Sequence, residues 1–398
     1  MINTQSQHNS HPNWLVGSPT KVQVAAALWM GSIGLLILGL QPILLGAMFT
    51  EARLNLDELA LVATAELITI GIGSVVFGLA LSTRHLKLKS AVMMLLIAGL
   101  NQSMFYAHTP HKILGIRAVT GLIEGGAVAV AMELIARSRH AEFVGGLFVT
   151  LQTVAQSLLA LLFALWVIPH FGSNGGFSAL AIVGIASLAL AALVPSYYGD
   201  LPKQAGSAGG VLSLKAIISL LVIVLLIMGL GAIWAFLEPI GAQNGIDGKT
   251  VGVMLSASLA VQVVAALVAT SVAQRLNYRA ALAGCGLIVI GSAAVLSQKP
   301  SLAVCWVAVI LLGSIWTFIV PFFVALTLDA DPKRDTVLLV PAATLTGAAM
   351  GPLAASVFIV DGNVGPVLPF SSSVALGSMV LLMVFILIAR RRPVTLRT

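Results

Sequence analysis

Twelve stretches of this chain are each long and apolar enough to cross a bilayer, and that repetition settles the class of fold before any motif is read. A helix rising 1.5 Å per residue needs about 20 apolar residues to cross roughly 30 Å of hydrocarbon. The runs fall near 22–49, 59–82, 90–107, 113–136, 144–168 and 176–195, then 214–240, 250–273, 280–297, 302–328, 336–360 and 369–389. They are continuous rather than alternating, which excludes a closed β-barrel. The connectors are short and polar, as antiparallel neighbouring helices require. Composition agrees: 59% of the 398 residues are hydrophobic and 9% charged, too few charges for a solvated surface. Mean hydropathy is +1.03. The expected fold is an all-α membrane protein of twelve transmembrane helices in two pseudo-symmetric six-helix bundles.

The distribution of basic residues gives orientation. With the N-terminus in the cytoplasm, sixteen Lys and Arg fall on the cytoplasmic side and four on the other, Arg53, Lys112, Lys249 and Lys299. One, Arg117, lies inside a span. A miscounted span would invert every later loop and scramble this bias. The net charge of +7 therefore reports topology, and nucleic acid is not an expected partner. The expectation is an integral protein of a bacterial-type inner (plasma) membrane with both termini cytoplasmic. Residues 1–21 form a polar tail without the features of an export signal, and 391–398 form a second tail.

The longest connector, 196–213, is rich in Gly and Ser and separates a bundle at 22–195 from one at 214–390. The halves resemble each other. Leu40-Gln41-Pro42-Ile43 answers to Leu237-Glu238-Pro239-Ile240, Leu56-Asp57 to Ile246-Asp247, Arg84 to Arg275 and Gly121 to Gly313. The last three pairs are separated by 190, 191 and 192 positions, which indicates a duplicated six-helix unit.

Ionisable groups within spans are expensive and are functional candidates by default. Four stand out: Glu66, Arg117, Glu124 and Glu238. Arg117 and Glu124 are seven residues apart on one helix face, about 10 Å along the axis, too far to bond directly with ease. A substrate carboxylate, water, or a facing helix would bridge them. Burial favours the neutral form of a carboxylate and a neighbouring guanidinium the charged form, so substrate and proton can compete. Glu238, beside Pro239 and one turn after Trp234, suits an outer gate or a ligand contact. Arg117 has three possible partners: Glu66, Glu124, or Glu238 across the halves. Glu133 reads as an i,i+4 partner of Arg137. Gln41, Gln152, Gln156, Trp234, Trp316 and Thr317 are candidates for a cavity lining, with Trp316 related to Glu124 by the 192-residue offset. The bland alternative for each is helix packing.

Two motifs carry a family resemblance. The fourth span reads Arg117-Ala118-Val119-Thr120-Gly121, continuing Leu122-Ile123-Glu124-Gly125-Gly126. The loop after the second span has Gly78 and then Arg84-His85-Leu86-Lys87, echoed by Gln274-Arg275-Leu276-Asn277-Tyr278-Arg279. The chain resembles the major facilitator superfamily over nearly its whole length, and the Gly-x-x-Glu-Gly extension is similar to the superfamily's organic-anion/proton symporters. The loop copies lack the motif's Asp and second Gly, and the fifth span lacks the Gly-Pro-x-x-Gly-Gly signature of proton/drug antiporters.

The resemblance implies two halves enclosing a central site lined by the first, fourth, seventh and tenth helices, with gating loops at Arg84 and Arg275. It implies a secondary active transporter moving a small organic, anionic or amphipathic solute, coupled to protons. The alternatives are an exporter of a drug or secreted metabolite and, in another class, a non-transporting sensor or a channel. No cofactor or metal is expected. Cys285 and Cys305 read as small buried hydrophobes, and no catalytic spacing points to an enzyme. The partners are the solute, protons and the bilayer, and a monomer is expected.

Overall fold

The computed structural model describes residues 14–80, 84–139, 141–199, 213–273, 275–331 and 336–390. Residues 1–13 of the first tail, the whole of the second tail, most of the 196–213 connector, Gln274, and Lys333 and Arg334 lie outside the described residues. The described chain is helical, with no strand beyond isolated bridges. Nine helical stretches are individually long and apolar enough to span a membrane, and the bent pair Leu302–Phe318 and Val320–Ala330 adds a tenth. One of the nine, Phe143–Ala191, is 49 residues long and doubles back where Gly172 adopts φ +63°. A left-handed backbone at that point suits glycine alone among common residues. With Val340–Ser356, 17 residues long, the total is twelve spans.

Span 1 is Lys21–Thr50, span 2 Leu56–Ala80, span 3 Leu86–Ser103 and span 4 Pro110–Ala136. Span 5 is Ala141–Leu162 with the π-helical turn Phe163–Val167 and the residues up to 171, and span 6 is the part of Ile168–Ala191 that follows the kink at Gly172. Span 7 is Leu214–Ala235 with Leu237–Gln243, span 8 Gly248–Val272 and span 9 Tyr278–Leu296. Span 10 is the bent pair, span 11 Val340–Ser356 and span 12 Val367–Arg390.

Span 4 packs on spans 1, 2 and 3, and span 3 on span 6. In the second half, span 7 packs on spans 11 and 12, span 8 on span 10, and span 9 on span 12. Across the halves, span 2 meets span 11 and span 5 meets span 8, while span 1 touches spans 7 and 8. The surface at which span 1 begins is called the Lys21 face, and its opposite the far face.

Three spans break where the apolar pattern reads as continuous. Span 1 interrupts at Gly34 and Leu35 and resumes at Leu36. Span 7 interrupts at Phe236, three residues before Pro239, which then sits in the first turn of the short helix, where its missing N–H costs nothing. Span 10 bends by 44° between Phe318 and Val320, just ahead of Pro321. Span 7 is thus broken just upstream of its proline rather than at it.

Candidate functional site

Arg117 projects from span 4 into the interior of the first half and is 1% exposed. Its guanidinium forms an ion pair with Glu66 of span 2 and lies 3.9 Å from Oε1 of Glu124, two turns along its own helix. It donates through Nη1 to Asn101 Oδ1 of span 3 at 2.9 Å, and Asn101 in turn donates to the Ile97 carbonyl. The guanidinium carbon is 5.2 Å from the ring centroid of Phe177 in span 6. Glu66 and Glu124 are both buried, and Glu124 Oε2 has no hydrogen-bond partner among the described residues. One cation therefore faces two carboxylates in a shell drawn from spans 2, 3, 4 and 6.

Glycine lets the helices approach closely enough for these contacts. A Cβ at Gly121 would collide with Glu66 O and Thr69 Oγ1, one at Gly125 with Ile70 O, and one at Gly34 with the carbonyl of Glu124. The break in span 1 thus lies directly on the backbone of Glu124.

One expectation is corrected: Arg117 and Glu124 do come within ion-pair distance, because two long side chains close an axial gap that their Cα spacing leaves open. Of the three partners left open for Arg117, Glu66 and Glu124 are met and Glu238 is not. Glu238 lies on the far side of the junction, against Gly46, Thr50 and Gly248, where a Cβ at Gly46 would overlap its carboxylate. The ion cluster thus belongs to the first half alone rather than to a pocket between halves. Asn101 and Phe177 join it without having been singled out. A polar residue inside the third apolar run was the available signal for Asn101, whereas a phenylalanine in a span carries none.

The uncharged candidates meet at and near the junction. Pro42 has no N–H to give to Leu38, and the freed Leu38 carbonyl accepts from Trp234 Nε1 of the second half at 3.0 Å. Trp234 lies 6.1 Å from Trp316, centroid to centroid. Gln41 donates to Ala63 O at 3.3 Å and Gln156 to Leu35 O, at the break in span 1, at 2.6 Å. Thr317 donates to Gln262 O at 2.7 Å. Gln152 is half-buried on span 5. Three further bonds join the halves: Ser157 and Ser256 each donate to the other's carbonyl at 2.9 and 2.8 Å, and Thr64 donates to Ala349 O at 2.7 Å.

At the Lys21 face, Arg84 lies over the Tyr197 ring at 5.9 Å, within its own half. Arg275 is exposed. Glu133 and Arg137 form the expected i,i+4 pair. Cys285 and Cys305 are free and buried, and no group of His, Cys, Asp or Glu suited to a metal occurs among the described residues.

No protein-family profile matches the chain, and no curated protein matches it. Solved structures do. A crystal structure of the nucleoside transporter NupG, in a point-mutant form, superposes with a TM-score of 0.67 at 12% identity, covering 92% of this chain and 99% of its own. A bacterial homologue of the human lysosomal transporter Spinster, inward-facing and unoccupied, superposes with a TM-score of 0.66 at 13% identity, covering 94% and 96%. A second NupG structure gives 0.63 at 12% identity, covering 94% and 100%. At these identities the likeness establishes the fold.

Proposed function

We propose that this protein, a chain with the fold of the major facilitator superfamily, is a secondary active transporter that moves a small organic solute by alternating access and couples that movement to protons. The buried cluster of Arg117, Glu66 and Glu124 carries the proposal. Two carboxylates sharing one guanidinium inside a span leave an excess negative charge, which a proton on one of them balances. Glu66 holds the guanidinium at close range, and Glu124, 3.9 Å from it, is the proton carrier in this reading. Its backbone supports the break in span 1, whose Leu38 carbonyl is bonded to Trp234 of the other half. A change of charge at Glu124 thus acts on the contact that joins the halves. Glu238 gates the far side.

Alternating access is supported by how the halves meet. Their hydrogen bonds lie at mid-depth and in the far half, and each uses a neutral donor and a backbone carbonyl. Such contacts are cheap to exchange with alternative partners. The Trp234–Leu38 bond and the Trp234–Trp316 contact occupy the junction, which disfavours a permanently open channel. The Lys21 face is placed in the cytoplasm and the membrane is a bacterial-type inner membrane.

The test pairs two measurements. Spin-label distances between Asn55→Cys and Lys249→Cys on the far face, and between Lys87→Cys and Arg275→Cys on the Lys21 face, should each show two populations that change reciprocally with pH. In proteoliposomes screened with small carboxylates, nucleosides and single-chain amphiphiles, Glu124→Gln should retain exchange and lose gradient-driven accumulation. One fixed distance on each face at every pH overturns the carrier reading. Equal loss of exchange and accumulation removes proton carriage from Glu124.

A further inference from the structure

The two seams between the halves differ. Spans 5 and 8 are sealed by the reciprocal Ser157–Ser256 bonds, and Gly252 sits so close to Ala164 that a Cβ would overlap it. Spans 2 and 11 are closed toward the far face by Thr64 on Ala349. Below that bond they part around a cleft of about 520 Å³. Its walls are Leu67, Ile68, Ile72 and Val75 on one side and Ala342 and Leu345 on the other. Ile68, Ile72 and Val75 are 41%, 49% and 56% exposed, so the cleft opens sideways at the depth of the hydrocarbon. Gly71 contributes no side chain to fill it.

We propose that this cleft holds the alkyl tail of a single-chain anionic amphiphile, which reaches the carrier from the bilayer leaflet on the Lys21 face. The volume lies within the range of small-molecule sites. The lining offers little to a polar solute: of its two hydroxyls, that of Ser74 is already donated to Gly71 O at 2.9 Å, which leaves Thr346 alone beside an otherwise apolar wall, and no charged side chain lines the cleft. A polar molecule would give up water there without replacement, whereas an alkyl chain loses nothing. Span 2 leaves the cleft toward the face that carries Arg84, Lys87 and Lys89, and that positive charge favours a negative head over a positive one. The position separates this tail from ordinary boundary lipid. It lies between two bodies, so rocking of the halves would squeeze or release it. Calling the occupant cargo rests on the carrier reading, whereas its occupancy does not.

The experiment reads occupancy at equilibrium, without a gradient, and so can fail or succeed independently of transport. The full chain in liposomes is photolabelled with a fatty acid carrying a mid-chain diazirine, and labelled peptides are mapped. Labelling should concentrate on 67–76 and 341–346 and be displaced by unlabelled fatty acid. A Cβ at Gly71 meets only Leu345 Cδ1, at 3.9 Å, so a larger side chain there grows into the cleft. Gly71→Trp, and independently Ala342→Trp from the opposite wall, should each cut the labelling about tenfold, equivalent to about 1.4 kcal/mol of binding. Gly291→Trp, on an open surface of span 9, should leave it unchanged. Labelling spread evenly over the lipid-facing helices, or insensitive to both plugs in variants that elute as folded protein, would reduce the cleft to boundary-lipid contact and overturn the proposal.

Discussion

Arg117 has no solvent to fall back on, and its side chain faces two carboxylates, an amide and an aromatic ring instead. Removing one member of a buried ion pair leaves an uncompensated charge, which typically costs about 3–5 kcal/mol. Arg117→Met should lower stability by about that amount in detergent, and adding Glu66→Gln should recover part of it, since one of the two stranded charges is then gone. Thermal unfolding of the two variants checks this, and a loss below about 1 kcal/mol for Arg117→Met would mean that the cluster is wet. The ionisable members were legible in the sequence because charge inside an apolar run is conspicuous. The geometry was less so. Rise per residue measures the distance between Cα atoms, not the reach of an arginine and a glutamate directed at each other. Phe177 looks like any other apolar residue in its span, and only packing singles it out.

At the scale of the helix, existence was readable and continuity was not. Hydropathy counts apolar residues and is blind to the φ of +63° at Gly172 or to the breaks at Leu35 and Phe236, none of which alters average apolarity. Span 8 shows a start signal that sequence does encode. Asp247 caps it, accepting from the backbone N–H of Thr250 at 2.9 Å and from its hydroxyl at 2.6 Å. Those bonds hold the Asp247 carboxyl below its ordinary value of 3.8. A carboxylate whose folded value is depressed stabilises the fold above its unfolded value and loses that contribution as pH falls through the folded one. Asp247→Ala should cost about 0.5–1 kcal/mol near neutrality, the lower part of the capping range because the site is exposed, and the cost should vanish in acid. Asp247→Asn, which keeps an acceptor, should remove the pH dependence with less loss at neutrality. Further along the same span, Gly252 fixes its distance from Ala164. Gly252→Leu should force the far half of that seam apart, seen as faster thiol labelling of Ser157→Cys, and an unchanged rate would show that the seam does not gate the far side.

Across the whole molecule the duplication is written in contacts as well as residues. Glu66 meets Arg117 and Gly121, and 192 positions later Ser258 meets Val309 and Gly313. Ile70 meets Gly125, and with the same offset Gln262 meets Thr317. One packing scheme is used twice, with ions at these positions in the first half and neutral groups at the matching positions of the second, so under the proposed coupling the proton chemistry of the Arg117 cluster belongs to one body. That division has direction only if the chain has one orientation in the membrane. Insertion is biased by Lys and Arg in short loops, and sixteen against four is a strong bias. In intact cells a membrane-impermeant maleimide should label Lys112→Cys and Lys249→Cys, and should reach Lys87→Cys and Arg275→Cys only after permeabilisation. The native thiols are buried and should contribute little background. The reverse pattern would put the Lys21 face outside and reverse the direction of the proposed cycle relative to the gradient. Labelling of all four sites in intact cells would instead indicate mixed insertion, and the charge bias would then not govern this chain.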